Sequence, residues 1–403
     1  MITNVTYHIA PATRMANVSY AIRDLAVVAD QVARQGHKIL YLNIGDPGKF
    51  DFPTPPHMIE AVERAMHEGF NGYGESLGEA SAVAAIRAQA EARGFQNIQG
   101  IMVGFGSGEV IDHCLTALIN PGDNVLTPCP DYPLYGAVLG KISAEPNPYL
   151  VSEENGWQPD LDDLAARINP RTKAILLINP NNPTGAIYSR ATLERVAELA
   201  RRHNLLILAD EIYDKLILDE DECEHLSIAT LAPDLPVITF NGLSKAYLVP
   251  GWRIGWAVAT GPAESLHDYL EAVYKLLRAR LSAPHPFMRA IAPALEGPQD
   301  HLKVVRAKLR RRRDLTVEWA ARTPRVSLVT PRGAFYAFPK LDIPEDDLTF
   351  VTDLLTQKHV LCVHGAGFGQ RPGTRHMRIV FLPQEETLVQ AYDSITEFIT
   401  QRY

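Results

Sequence analysis

The sequence is short of cysteine, of long apolar runs and of positive charge, and each shortage removes a class of protein. Its four cysteines, Cys114, Cys129, Cys223 and Cys362, lie far apart with no Cys-x-x-Cys pair. That spacing argues against a zinc ribbon or a dithiol redox centre and leaves free, buried thiols as the expectation. No apolar stretch reaches the roughly 20 residues that a membrane-spanning helix needs. Met1–Asp30 shows no basic leader followed by an apolar segment, so a reducing cytoplasm is expected. A formal net charge of -8 offers no footprint for nucleic acid or an anionic membrane, and any anion site must be local. The basic run Lys308–Asp314 reads as the solvated face of a long helix, because no nucleic-acid motif or aromatic stacking platform accompanies it. Solenoid repeats, low-complexity tracts and Gly/Ser linkers are also missing.

What is present is a 403-residue chain, 46% hydrophobic and 21% charged, enough for a large core and more than one lobe. Short apolar runs at Asn124–Thr127, Ala174–Ile178, Leu205–Ala209, Val237–Phe240 and Ile254–Val258 alternate with helical patterns such as Glu109–Leu118, Leu161–Arg167 and Ala191–His203. Continuous apolar runs of strand length suit strands buried on both faces of a mostly parallel sheet. The fold class is therefore α/β, a three-layer sandwich with a mostly parallel central sheet plus a smaller α+β domain. The smaller domain follows Pro298, with a long helix near His301–Ala321, strands near Val326–Leu328, Ala334–Phe338 and Met377–Phe381, and a closing helix. The expected boundaries are 1–55 for an N-terminal segment belonging partly to the small domain, 56–298 for the large domain and 299–403 for the small one.

Four segments carry candidate chemistry. In Asn241-Gly-Leu-Ser-Lys-Ala-Tyr247, a lysine sits among small residues, with Arg253 eight positions later. A neutral lysine can attack a carbonyl cofactor and, once released, can shuttle a proton. The bland reading is a solvated surface lysine. In Leu205–Tyr213 an apolar run delivers Asp210 at its end, where open α/β sheets bind ligands. A carboxylate there can keep a ring nitrogen protonated, or merely cap the next helix. Ile178–Gly185 is rich in turn formers. It is either a plain turn or a means of presenting the Asn182 amide to a phenolic oxygen. Finally, Gly104-Phe-Gly-Ser-Gly-Glu109 opens a helix and suits a single phosphate on backbone amides. Its spacing is wrong for a dinucleotide fold.

Taken in order, Gly-Ser-Gly, Pro-Asp-Tyr132-Pro, Asn-Asn182-Pro-Thr-Gly, Asp210-Glu-Ile-Tyr213, Ser-Lys245 and Trp-Arg253-Ile-Gly resemble the class I/II, fold-type I aminotransferases over essentially the whole chain. The intervals of 28 residues from Asn182 to Asp210, three to Tyr213 and eight from Lys245 to Arg253 are those of that family. The resemblance implies pyridoxal 5'-phosphate as cofactor, Lys245 as imine lysine and proton shuttle, and Asp210 on the ring nitrogen. It places Asn182 and Tyr213 on the phenolic oxygen and Tyr132 on the ring face. Arg253, Ser107, Gly108, Glu109 and Ser244 would hold the phosphate. Tyr73 would reach the neighbouring site across a homodimer. Arg378 in Gly373-Thr-Arg-His-Met-Arg378 would grip the substrate α-carboxylate as a bidentate guanidinium, with Gly45 and Asn182 alongside. Nearby Arg375 is the candidate for a bland surface cation. One departure is Gly242, where many members carry a serine three residues before the lysine.

The segments Val18–Asp24, Leu42–Pro53, Pro331–Tyr336 and Val363–Gly369 are most similar to the alanine aminotransferase branch. The implied reaction converts alanine and 2-oxoglutarate to pyruvate and glutamate, with mobile Arg23 meeting the distal carboxylate of glutamate and Tyr20 closing the pocket. An aminotransferase for aromatic or branched amino acids would use the same scaffold, because substrate choice turns on a few side chains. A lyase or racemase would also retain most of these residues, since the cofactor supplies the electron sink in each. A non-catalytic regulator would need a DNA-binding module, and no spare sequence suggests one.

Overall fold

A computed structural model describes residues 8–23 and 25–403. The large sheet contains β1 (Ile98–Phe105), β2 (Asn124–Cys129), β3 (Glu145–Ser152), β4 (Gln158–Pro159), β5 (Thr172–Ile178), β6 (Leu206–Asp210), β7 (Val237–Gly242) and β8 (Ile254–Thr260). Across the sheet they run in the order β1-β8-β7-β6-β5-β2-β3-β4. The five strands from β7 to β3 are parallel, while β8 is antiparallel to both β1 and β7 and β4 is antiparallel to β3.

Side chains alternate between the two sheet faces, and both faces are apolar. Ile175, Leu177, Ile207 and Ala209 pack into one core, whereas Ala174, Leu176, Leu206 and Leu208 pack into another. Burial on both sides is why these strands read as unbroken apolar runs. The α/β three-layer class expected from sequence is the one observed. Helix α1 (Ser107–Leu118) covers one face and starts two residues before its expected first residue. Leu161–Arg167 forms the expected helix, with Asp160 capping its first turn through the backbone N–H groups of Asp162 and Asp163.

A separate apolar core lies in the smaller region. It joins Leu25–Phe52 to residues of α2 (Asp300–Arg322), α3 (Asp347–Lys358) and α4 (Glu385–Arg402). Here β9 (Tyr336–Ala337), β10 (Val363–His364) and β11 (Met377–Val380) form an antiparallel sheet ordered β9-β11-β10. Leu40–Tyr41 pairs in parallel with Val360–Leu361, so the N-terminal segment is stitched into this region. Among the described residues, no helix is long and apolar enough to cross a membrane.

The basic run on α2 is not the solvated face expected of it. Arg312 and Arg313 are only 1% and 4% exposed. Arg312 donates to Asp51 Oδ2 at 2.9 Å and to the Leu382 carbonyl at 2.6 Å. Arg313 grips Asp219 through both terminal nitrogens at 2.7 and 2.8 Å and donates to the Pro331 carbonyl at 2.7 Å. Helical spacing puts Lys308 and Arg312 on one face, and both reach Asp51. Only part of the run faces water.

Candidate active site

The parallel strands deliver their C-terminal ends to one place. Asp210 is the last residue of β6, the Asn179–Gly185 turn follows β5, and Lys245 lies three residues beyond β7. Asp210 is buried and accepts hydrogen bonds from the Tyr135 hydroxyl at 2.9 Å and the Ile212 N–H at 3.2 Å. Burial pushes its carboxyl up to about 6 against the pull of those two bonds, and the neighbouring Glu211 charge adds to the rise. A cationic ring nitrogen would compensate such a buried carboxylate. Lys245 is its counterpart. Burial first, then the nearby Arg378 charge, lowers its amine to about 8, which leaves about a tenth of it neutral at pH 7. The amine donates to the Gly45 carbonyl at 2.8 Å and lies 5.4 Å from the Phe335 ring centre.

An anion cradle lies beside this pair. Gly106 has φ +76°, a conformation that a side chain strongly disfavours, and its N–H donates to the Arg253 carbonyl at 2.9 Å. A Cβ on Gly106 would fall 2.3 Å from Arg253 Nη2. The turn thus brings the guanidinium against the unpaired amides that open α1, beginning at Ser107 and Gly108. Glu109 can contribute only through its backbone. Its carboxylate accepts from the Phe105 N–H at 2.8 Å and faces Arg280 at 3.3 Å, so its side chain is engaged and only its backbone amide is left for an anion. Gly242 also has a physical reason. A Cβ there would lie 2.8 Å from the Ile254 carbonyl oxygen, because β7 and β8 approach too closely for serine. Ser244 is buried beside Lys245.

Arg378 is only 1% exposed. It donates from Nη1 to Asn182 Oδ1 at 3.2 Å and from Nη2 to the Asn43 carbonyl at 2.9 Å. Its guanidinium is held between the rings of Tyr336 and Phe368, 4.6 and 4.7 Å from their centres, and its buried Nε has no partner. A guanidinium so fixed, with unused donor capacity, suits a planar carboxylate. Arg375 is instead half-buried and spends its donors on the carbonyls of Glu345, Pro344 and Gly373. The Tyr20 and Tyr132 hydroxyls meet at 2.9 Å, and those of Tyr213 and Tyr336 at 2.8 Å. Tyr73 is 83% exposed. The side chain of Arg23 lies outside the described residues.

Several participants went unassigned in the sequence. Tyr135 on Asp210, Tyr336 between Tyr213 and Arg378, Phe335 near Lys245, and Phe368 on Arg378 are aromatics that look like core. Asn43 acts through its carbonyl and leaves no side-chain signal at all.

A buried amine held near neutrality, a buried carboxyl at a strand end, a helix-start anion cradle and a pinned guanidinium sit together on a fold-type I scaffold. The chain belongs to the class I and II aminotransferases, whose family pattern matches residues 37–395. More particularly, it is 42% identical to the glutamate-pyruvate aminotransferase AlaA of Escherichia coli K12 over 97% of this chain and 98% of that protein. It is 41% identical to the alanine aminotransferase of Mycobacterium tuberculosis H37Rv, over 97% and 92% of the two chains. The solved alanine aminotransferase from Pyrococcus furiosus superposes with a TM-score of 0.94 at 40% identity, covering 98% of this chain and 100% of its own.

Proposed function

We propose that this aminotransferase moves the amino group between L-alanine and 2-oxoglutarate, yielding pyruvate and glutamate, with pyridoxal 5'-phosphate as its cofactor. The observation that carries the cofactor reading is the Lys245 amine, buried and lowered to about 8, facing a buried carboxyl raised to about 6. The alanine reading is supported by relatives at about 40% identity over nearly their full length that are named for that reaction. The donor set fits a phosphorylated pyridine: a cradle for one phosphate at Gly106–Glu109 and Arg253, and a carboxyl placed for a ring nitrogen. When bound, the cofactor supplies an electron-withdrawing ring that weakens the bonds at the substrate's α-carbon.

The chain's own residues then divide the work. Lys245 would be the residue that holds the cofactor, and its free amine, lowered to about 8, is suited to carry a proton. Asp210 would pair with the ring nitrogen. Asn182 and Tyr213 would donate to the phenolic oxygen, and Tyr132 would cover the ring face. Ser107, Gly108, the Glu109 amide, Ser244 and Arg253 bind the phosphate, with Tyr73 supplied by the second subunit of a homodimer. Arg378 orients the substrate through its α-carboxylate beside Asn182 and Gly45, and orientation of this kind removes much of the entropic barrier. Tyr20 closes the pocket and Arg23 meets the distal carboxylate of glutamate. We assign residues 56–298 to the cofactor-binding domain and 1–55 with 299–403 to the smaller one, and place the enzyme in the cytoplasm.

The test is a single-turnover absorbance titration of the cofactor-loaded protein with L-alanine, glutamate, valine and phenylalanine, followed by 2-oxoglutarate. Loss of the cofactor's visible band with alanine and glutamate, reversed by 2-oxoglutarate, supports the assignment. A fast response to valine or phenylalanine alone moves the enzyme to another specificity. A protein that takes up no cofactor overturns the reading.

A further inference from the structure

We infer that Tyr336 is a positioning residue for the reaction: its hydroxyl is hydrogen-bonded to that of Tyr213 while its ring supports Arg378, so one side chain sets both groups. The inference rests on the cofactor reading above and extends it to a residue outside the phosphate, ring and substrate contacts already assigned.

Tyr336 is 2% exposed and lies on β9 of the three-stranded sheet. Its hydroxyl is 2.8 Å from that of Tyr213, and the two rings pack edge to face with centres 5.6 Å apart. On its other side the Arg378 guanidinium carbon lies 4.6 Å from the ring centre. The hydroxyl also presses on the N-terminal segment: a Cβ added to Gly45 would fall 2.5 Å from it, and the Gly45 carbonyl is the partner of the Lys245 amine. The register of β9 fixes all of this. Tyr336 pairs with Val380 on β11, two residues from Arg378, which makes Tyr336 and Arg378 diagonal neighbours on one sheet face. A slip of one residue would turn the ring to the opposite face.

Proton counting gives the direction of the hydrogen bond. A phenol carries one proton. Either tyrosine can donate across their 2.8 Å contact; once Tyr213 gave its proton to a bound cofactor's phenolic oxygen, the proton between the two tyrosines would have to come from Tyr336. A bond donated into the Tyr213 oxygen polarises the Tyr213 O–H and makes it a stronger donor. A stronger donor at the phenolic oxygen draws off electron density that would otherwise hold the cofactor's titrating proton. Loss of the Tyr336 hydroxyl therefore raises the pH at which the bound cofactor changes colour. The ring has a distinct role, because a desolvated guanidinium over an aromatic face is held both electrostatically and sterically.

The experiment uses two variants of the cofactor-loaded enzyme. Tyr336→Phe removes only the hydroxyl. It should raise the midpoint of the cofactor's absorbance titration by about 0.5–1 pH unit and lower kcat several-fold with little change in KM for L-alanine. Tyr336→Leu also removes the ring and should raise KM for both alanine and 2-oxoglutarate by about tenfold. The cofactor-free Tyr336→Phe chain should melt within about 2 °C of the parent, as expected for a change near neutral in stability. A parental midpoint in Tyr336→Phe overturns the inference while leaving the proposed function standing, as does a parental KM in Tyr336→Leu. A parent protein with no cofactor band overturns both.

Discussion

Burying a carboxyl where a cation will later arrive has a cost before it arrives, and Asp210 makes that cost measurable. Its folded-state value is about 6 against an ordinary 3.8. The folded chain therefore prefers the protonated form. The penalty is absent below pH 3.8, grows as pH rises, and is complete above about 6, where two units amount to about 3 kcal/mol. Asp210→Asn, which keeps an oxygen for Tyr135 and Ile212, should stabilise the cofactor-free chain at pH 8 by up to about 3 kcal/mol and do little at pH 4. Chemical denaturation at the two pH values checks this, and an equal gain at both would sink the electrostatic account. Asp210, Lys245 and Asn182 were legible through their order and spacing along the chain, and Arg378 through the family strand it matches, since each alone has a bland reading. Tyr135 and Tyr336 were not legible, since an aromatic flanked by apolar residues looks the same whether its hydroxyl is idle or bonded.

At the scale of elements, strand identity was readable wherever both faces were buried. Glu145–Ser152 escaped notice because Pro146 and Pro148 argue against a central strand. The topology resolves the conflict: β4 pairs only with Val151 and Ser152, so both prolines lie where β3 is an open edge, and both are exposed. Helix α2 misled in the opposite direction, because charge in a sequence does not reveal partners distant in the chain. Its Arg313 holds the Asp219 carboxyl below the usual range, chiefly through their hydrogen bonds. That stabilisation is present above the ordinary carboxylate pKa and is lost as acid protonates Asp219. Arg313→Met leaves Asp219 without its main buried partner and should cost about 3–5 kcal/mol. Adding Asp219→Asn to the same chain should recover much of the loss, a coupling that a double-mutant cycle in urea will read.

At the scale of the whole molecule, the two regions are joined by polar contacts as well as by apolar packing. Glu153, next to β3, faces Lys340 at 3.3 Å and His376 at 3.5 Å, both from the smaller region. Tyr73 is the opposite case, a large aromatic left 83% exposed. If it serves the neighbouring subunit, Tyr73→Ala should weaken cofactor binding by about tenfold, the usual worth of one hydrogen bond to a charged group, and leave the sedimentation coefficient of the dimer unchanged. Unchanged cofactor affinity would remove Tyr73 from the site. The contact between Lys245 and the Gly45 carbonyl spans 200 positions of sequence and fastens the N-terminal segment to the interior by the amine proposed to bind the cofactor. If the proposed cofactor takes this amine, loading the enzyme would unlatch Gly45 from its donor. The segment around residues 43–52 becomes a self-report of occupancy, readable as faster or slower protease nicking before a single substrate molecule has been turned over. Identical nicking with and without cofactor would show that the latch bears no weight.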